Sequence, residues 1–188
     1  MSDLQRETLD EYLLTYEYLT EKISRFDERI EELASVERYE EKVKHMSYLL
    51  GIKTHTALSM IVEVGDFERF EKAPKFASFL GLVPSEDYSD TRVNRYSITK
   101  AGNSHLRRLL VEAAQSYTRG NVGHKSVALK QRQKGNPPEV IAYADKANER
   151  LRRRFYKMTL NKGVNRNVAA IARELACFIW GMMTEPVS

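Results

Sequence analysis

Between Tyr88 and Ala114 the sequence reads YSDTRVNRYSITKAGNSHLRRLLVEAA. Ser89, Ser97, Thr99 and Lys100 stand ahead of a Gly-Asn break, and Arg107 and Arg108 follow one turn into a strongly amphipathic segment. If Asn103 or Ser104 caps a helix there, its free N–H groups and dipole form an anion site worth about 0.3–1 kcal/mol from the dipole. A phosphate fits such a place. A serine hydroxyl beside it could attack phosphorus, provided a base or metal removes the proton and cations offset the developing charge. The same side chains also read as ordinary capping and loop hydroxyls, and the bare pattern leaves both open.

The charge distribution points the same way. The 188-residue chain carries a net charge of +4, divided as −8 over residues 1–94 and +12 over residues 95–188. A basic half of that size suits a polyanion such as nucleic acid, although a solvated basic face has the same composition. No apolar run reaches membrane-spanning length, and the start, MSDLQRETLDEYLL, lacks the basic-then-apolar pattern of a secretory signal, so a cytoplasmic chain is expected. The single cysteine, Cys177, cannot form an internal disulfide and reads as a small buried hydrophobe.

The positioning elements read mainly as helices. Leu9, Tyr12, Tyr16, Leu19, Ile23, Phe26, Ile30 and Leu33 alternate by three and four residues, the a/d seam of a coiled coil. The seam steps on through Val36, Tyr39, Val43, Met46 and Leu50, with a stammer after Leu33, and predicts one helix to about Leu50. Such a helix serves as a dimer arm or folds back on its own domain. Gly51 ends it, Thr54 caps the next helix, and Gly65-Asp66 ends that one. This tight corner reads either as a helix-hairpin-helix element touching phosphate through Lys53 and Thr54 or as plain helix packing.

Pro74 opens a short helix ended by Gly81, with Phe76, Phe79 and Leu80 in the core. Residues 83–98 read as a long loop or irregular hairpin, and loops of that length are usually functional. Leu106, Leu109, Leu110, Ala113, Ala114 and Tyr117 mark the buried face of the following helix, ending near Gly120. Residues 119–137 read as a mobile basic connection. A helix flanked by Arg150, Arg152, Arg153, Arg154 and Lys157 follows Pro137-Pro138, and an apolar helix over about 165–183 closes the chain.

The runs LSMIVEVGDFERFEKAPKFASFLGLVP and SITKAGNSHLRRLLVEAA, separated by the serine-bearing loop, resemble the C-terminal transposase domain of the insertion sequence 110/116/902 family, relatives of the Piv-type DNA invertases. GVNRNVAAIARELACFIWGMM is similar to that family's terminal helix. The resemblance implies a serine nucleophile that links covalently to DNA, five residues after the proline of GLVP, which is Ser89; Ser97 and Ser85 are the alternates. It also implies an RNase H-like domain with a metal-binding acidic tetrad ahead of the coiled coil and, in some members, a guide RNA. Asp90 stands where the family usually has glycine.

The expected architecture is thus mainly α: a coiled-coil oligomerisation helix over 1–50, then a compact helical domain over 51–188 with a helix-hairpin-helix-like element and a long loop. The expected function is a DNA transposase or recombinase component supplying a serine nucleophile and needing an RNase H-like domain that this sequence does not contain. The alternatives are an inactive DNA- or RNA-binding module and a coiled-coil assembly protein. Nucleic-acid contacts are expected from Lys53, Thr54, Arg92, Arg95, Lys100, Asn103, Arg107, Arg108, Arg153 and Arg154. The chain itself is expected to bind no metal or other cofactor, Mg²⁺ belonging to the family's RNase H-like domain. Expected partners are DNA, a guide RNA and further copies of the chain.

Overall fold

The computed structural model describes residues 2–89, 92–159 and 164–184. It is mainly α, as the periodicity requires, with a long N-terminal helix, seven further helices and one two-stranded sheet among the described residues. Helix α1 (Asp3–Ala34) opens with a capping box in which the Ser2 side chain accepts from the Gln5 amide and the Gln5 side chain accepts from the Ser2 amide. Its heptad face stands in solvent from Leu9 to Phe26, whereas Ile30 and Leu33 pack on the core and Ala34 is buried in it.

The single helix expected to reach about Leu50 is broken. The Ser35 amide donates to the carbonyls of Glu31 and Glu32, the Val36 amide donates to that of Leu33, the Ser35 hydroxyl donates back to Glu31 at 2.9 Å, and Val36 is extended. The chain restarts as α2 (Glu37–Met46). A serine that bonds the preceding turn and a β-branched residue after it weaken the helix locally. The redirected chain then buries Ala34, Val43 and Met46 in one core. Neither Gly nor Pro marks the break.

After α2 the chain turns through Gly51, at φ 81°, into α3 (Thr54–Val64). A side chain at Gly51 would run into the backbone carbonyl of Ala113, so the close approach to the later helix requires glycine. The N-cap of α3 is Lys53 rather than Thr54, and no side chain caps it. Helix α4 (Ala73–Phe79) follows, with proline in its first turn. Around it Phe67, Phe70, Phe76 and Phe79 form an aromatic cluster with the Arg69 guanidinium over two of the rings.

The segment read as a loop or irregular hairpin is an antiparallel hairpin, β1 (Pro84–Ser89) and β2 (Arg92–Ile98). Helix α5 (Ser104–Ala114) comes next, capped by Asn103, one of the two residues expected to cap it, and runs into a 3-10 turn over Gln115–Thr118. The six residues assigned to its buried face, Leu106 to Tyr117, are all buried.

The stretch expected as a mobile connection carries α6 (Val127–Gln133), capped by the Ser126 side chain and seated by the buried Leu129 and Gln133. Arg152, itself 7% exposed, ties down the preceding turn by donating to the carbonyls of Asn121 (2.6 Å) and His124 (3.2 Å). Lys125 reaches both Gln133 and Asp145. Two of these partners, Arg152 and Asp145, lie on the later helix outside the stretch, which is why its Gly- and Lys-rich composition reads as a linker.

Helices α7 (Pro138–Thr159) and α8 (Val164–Thr184) complete the domain, and α8 packs against α4, α5 and α7. Val168, Ile171, Ala172, Leu175, Ala176 and Ile179 of α8 are buried. Cys177 is only half-buried, less enclosed than expected, and burial raises its thiol pKa. No described helix is long and apolar enough to cross a membrane.

Candidate nucleic-acid interface and serine hairpin

The hairpin register separates the candidate serines into two places. Ser89, the last residue of β1, pairs with Arg92, and Arg95 pairs with Glu86. These positions are given by the backbone; Asp90 lies outside the described residues. At the other end Pro84 pairs with Ile98, and the register slips between Pro84 and Glu86. In that slip the Ser85 hydroxyl donates to the Ser97 carbonyl at 3.0 Å, while Ser97 itself is exposed. Five strand steps, roughly 16 Å at about 3.3 Å per residue, separate Ser89 from this foot. The basic side chains grouped with the serines in sequence therefore divide, Arg92 at the tip and Lys100 at the foot.

The foot is rigidly built. Lys100 is an exposed non-glycine residue at φ 55°, and its amide donates to the Gly81 carbonyl at 3.2 Å. Gly102, at φ 125°, lies so close to the Phe79 carbonyl that no side chain fits, and the Asn103 amide donates to the same carbonyl at 3.0 Å. The chain is thereby aimed into α5.

Asn103 is used up by this construction. Its side-chain oxygen accepts from the Leu106 amide at 2.9 Å, and its NH₂ donates to Glu63 at 2.7 Å. The other oxygen of Glu63 meets His105 Nδ1. Glu63 on α3 thus clasps the first turn of α5 through two side chains. Neither Glu63 nor His105 stands out in the sequence, because the residues lie 42 positions apart and only tertiary packing joins them.

The two arginines of LRR also differ. Arg107 turns inward and donates to the Leu80 carbonyl at 3.1 Å, linking α5 to the end of α4. Arg108 is exposed, with Glu112 one turn on at 4.0 Å. On α7, Arg153 pairs with Glu149, while Arg154 shares Glu174 with Arg150 at 2.5 and 2.6 Å. Lys53 and Thr54 line a cleft of about 750 Å³ together with Lys44, Arg132, Glu31 and Glu40. Burial lowers the Arg132 pKa, and its guanidinium donates to the Ile52 carbonyl at 3.1 Å. Among the described residues no group of three or more His, Cys, Asp or Glu side chains could hold a metal ion.

Residues 44–133, from the end of α2 to the end of α6, match the sequence model of a transposase family, so this helical body with its serine-bearing hairpin is a transposase domain. The chain belongs to the IS116/IS110/IS902 transposase family. It is 37% identical over 140 residues to the putative transposase y4qE of Sinorhizobium fredii (strain NBRC 101917 / NGR234), covering 73% of this chain and 35% of that protein. It is 30% identical over 157 residues to the transposase for insertion sequence element IS1111A of Coxiella burnetii (strain RSA 493 / Nine Mile phase I), covering 82% and 36%. To the transposase for insertion sequence element IS1533 of Leptospira borgpetersenii it is 28% identical over 156 residues, covering 82% and 44%. The chain therefore spans about a third to somewhat under half of the length of these relatives.

Proposed function

We propose that this chain is the nucleophile-bearing and DNA-holding part of a transposase, with Ser89 as the residue that links covalently to DNA. The observation that carries the reading is membership of the transposase family together with the position of Ser89 at the end of β1, paired with Arg92. Lys100 at the foot and Arg108 on α5 are exposed cations suited to phosphate; Lys53 and Thr54 offer a further contact at the start of α3, and Arg92 and Arg95 stand along β2. Asn103 and Arg107 act by shaping the foot. Arg153 and Arg154 contact phosphate only by exchanging their carboxylate partners. With one phosphate held at the foot and another attacked at the tip, the two are about five nucleotides apart, at ~3.4 Å per nucleotide along a strand.

Attack on a DNA phosphodiester forms a serine O–P bond and breaks a sugar O–P bond, so the weakly nucleophilic hydroxyl needs removal of its proton, and the departing sugar oxygen needs neutralisation and that proton's return. An RNase H-like domain of the same family, carrying Mg²⁺ on its acidic residues, supplies these at the tip, and some assemblies include a guide RNA. The exposed heptad face of α1 joins copies of the chain. Burying a charge in that seam by Ile23→Asp should release monomers, which light scattering reads directly.

The decisive experiment combines the chain with such an RNase H-like domain, Mg²⁺, cognate DNA and any guide RNA, then traps the protein–DNA adduct and maps it by mass spectrometry. The adduct is expected on Ser89 and absent in Ser89→Ala. An adduct on Ser97 or Ser85 would move the nucleophile to the foot. DNA binding without an adduct in every reconstitution would support the binding-module alternative.

A further inference from the structure

The heptad seam has eight a/d positions in sequence, but Ile30 and Leu33 pack on the chain's own core. Six stay free: Leu9, Tyr12, Tyr16, Leu19, Ile23 and Phe26, exposed by 45, 72, 68, 50, 60 and 58%. Read forwards, these are aliphatic, aromatic, aromatic, aliphatic, aliphatic, aromatic. Read backwards, every aromatic position becomes aliphatic and every aliphatic one aromatic.

We infer that α1 pairs with α1 of a second copy of this chain in an antiparallel coiled coil centred between Tyr16 and Leu19, with layers Leu9·Phe26, Tyr12·Ile23 and Tyr16·Leu19, each occurring twice. This rests on the homo-oligomer reading above and specifies the partner's direction and register. Seams pack best when large and small side chains face one another and the layers interdigitate. The antiparallel register gives one aromatic and one aliphatic side chain in all six layers. A parallel register sets Tyr12, Tyr16 and Phe26 each against its own copy, leaving three overfilled layers and three underfilled ones.

Truncation of the seam by the fold decides the register. If all eight positions were available, the antiparallel centre would move toward the domain, Tyr16 would face Phe26, and the flanking Lys22 would face its own copy. Centred on the six free positions, the flanks bring Arg6 of one copy to Asp27 of the other, and Lys22 to Thr15, with no like-charge pair. A parallel pair would also find one attraction, Lys22 to Asp27, and exposed pairs contribute little, so side-chain volume carries the choice. The two transposase domains then sit at opposite ends of the coil. At about 1.5 Å per residue, residues 30 of the two copies lie roughly 38 Å apart along the axis.

The test uses the full chain with Cys177→Ala, prepared separately with Leu9→Cys and with Phe26→Cys. Mild oxidation of the equimolar mixture is expected to give a disulfide-linked heterodimer as the main product, with little self-linkage of either variant. Tyr12→Cys mixed with Ile23→Cys provides an independent pair if either first variant folds poorly, as judged by helix content. Self-linked Leu9→Cys and Phe26→Cys homodimers without the mixed product would overturn the antiparallel register while leaving the oligomer reading intact. A monomer in light scattering of the unmodified chain would overturn both.

Discussion

The side-chain NH₂ of Asn148 on α7 donates to the backbone carbonyl of Tyr48, 100 residues earlier, at 2.8 Å. The Asn148 oxygen accepts from the Leu50 amide and from the Tyr117 hydroxyl, both at 2.9 Å. One amide thus satisfies three groups at the turn between α2 and α3 and at the end of α5. Its setting is closed, since Asn148 is 7% exposed and Tyr48 and Tyr117 are fully buried. Burial also raises the Tyr117 pKa, so its hydroxyl remains a donor.

Asn148→Leu should therefore be among the most damaging substitutions away from the hairpin. It strands a buried N–H, a carbonyl and a hydroxyl, at about 1–3 kcal/mol for each group left unpaired before relaxation. A net loss of roughly 2–4 kcal/mol is expected, read as a lower urea midpoint with an unchanged slope. A midpoint within error of the unsubstituted chain would show that water satisfies these groups.

Acid should weaken the fold through His45. Burial lowers its folded-state pKa below the ordinary value, and the opposing pull of Glu41, 4.0 Å away, is the smaller cause. The unfolded chain then binds more protons than the folded one as pH falls below about 6.5. Stability from this residue is present above that pH and is lost as pH falls toward the folded pKa. His45→Gln should flatten the midpoint-versus-pH curve over that window, and an unchanged slope would assign the pH dependence to other groups.

Arg107→Ala and Arg108→Ala should separate folding from binding. The first strands the Leu80 carbonyl and loosens α5 from α4, costing about 1–2 kcal/mol of stability. The second should leave the thermal midpoint within about 1 °C, because its ion pair is exposed and long. Arg108→Ala should instead flatten the log–log salt dependence of duplex binding by about 0.9 for the one phosphate contact removed. Equal loss of stability in both variants would refute the division.

Lys100→Gly should give opposite signs in two measurements. The left-handed backbone at φ 55° costs a lysine roughly 1–2 kcal/mol that glycine does not incur, so thermal stability should be maintained or rise slightly. Duplex affinity should fall with a shallower salt slope. A large loss of stability would show that the lysine stem packs in a way that outweighs backbone strain.

What could be read without the fold is what short-range chemistry encodes. Asn103 as a cap is legible because the group it bonds, the Leu106 amide, lies three residues away. The buried face of α5 is legible because its apolar residues recur at the helix period. The hairpin was half legible: lack of helical spacing and Pro84 excluded a helix, but ladder pairing leaves little trace in a segment so polar. Ser126 capping α6 was open to the same local reading, but the glycines at 123 and 135 pointed to a linker.

By itself, then, the sequence determined the helical class, the heptad face of α1, the start of α5 at Asn103 or Ser104 and the transposase motifs, all carried by neighbours within a few residues. Tertiary structure alone decided that the first helix breaks at Ser35–Val36, that Arg107 turns inward while Arg108 faces water, that Glu63 clasps Asn103 and His105, and that the seam stops at Phe26. The inward turn of Arg107, the Glu63 clasp and the end of the seam depend on partners tens of residues away, and the break adds burial of Ala34 in the shared core to the local Ser35 bond. Such a partner is selected by burial of the shared core around α8, where the gain from many packed side chains outweighs the local preference of any one residue.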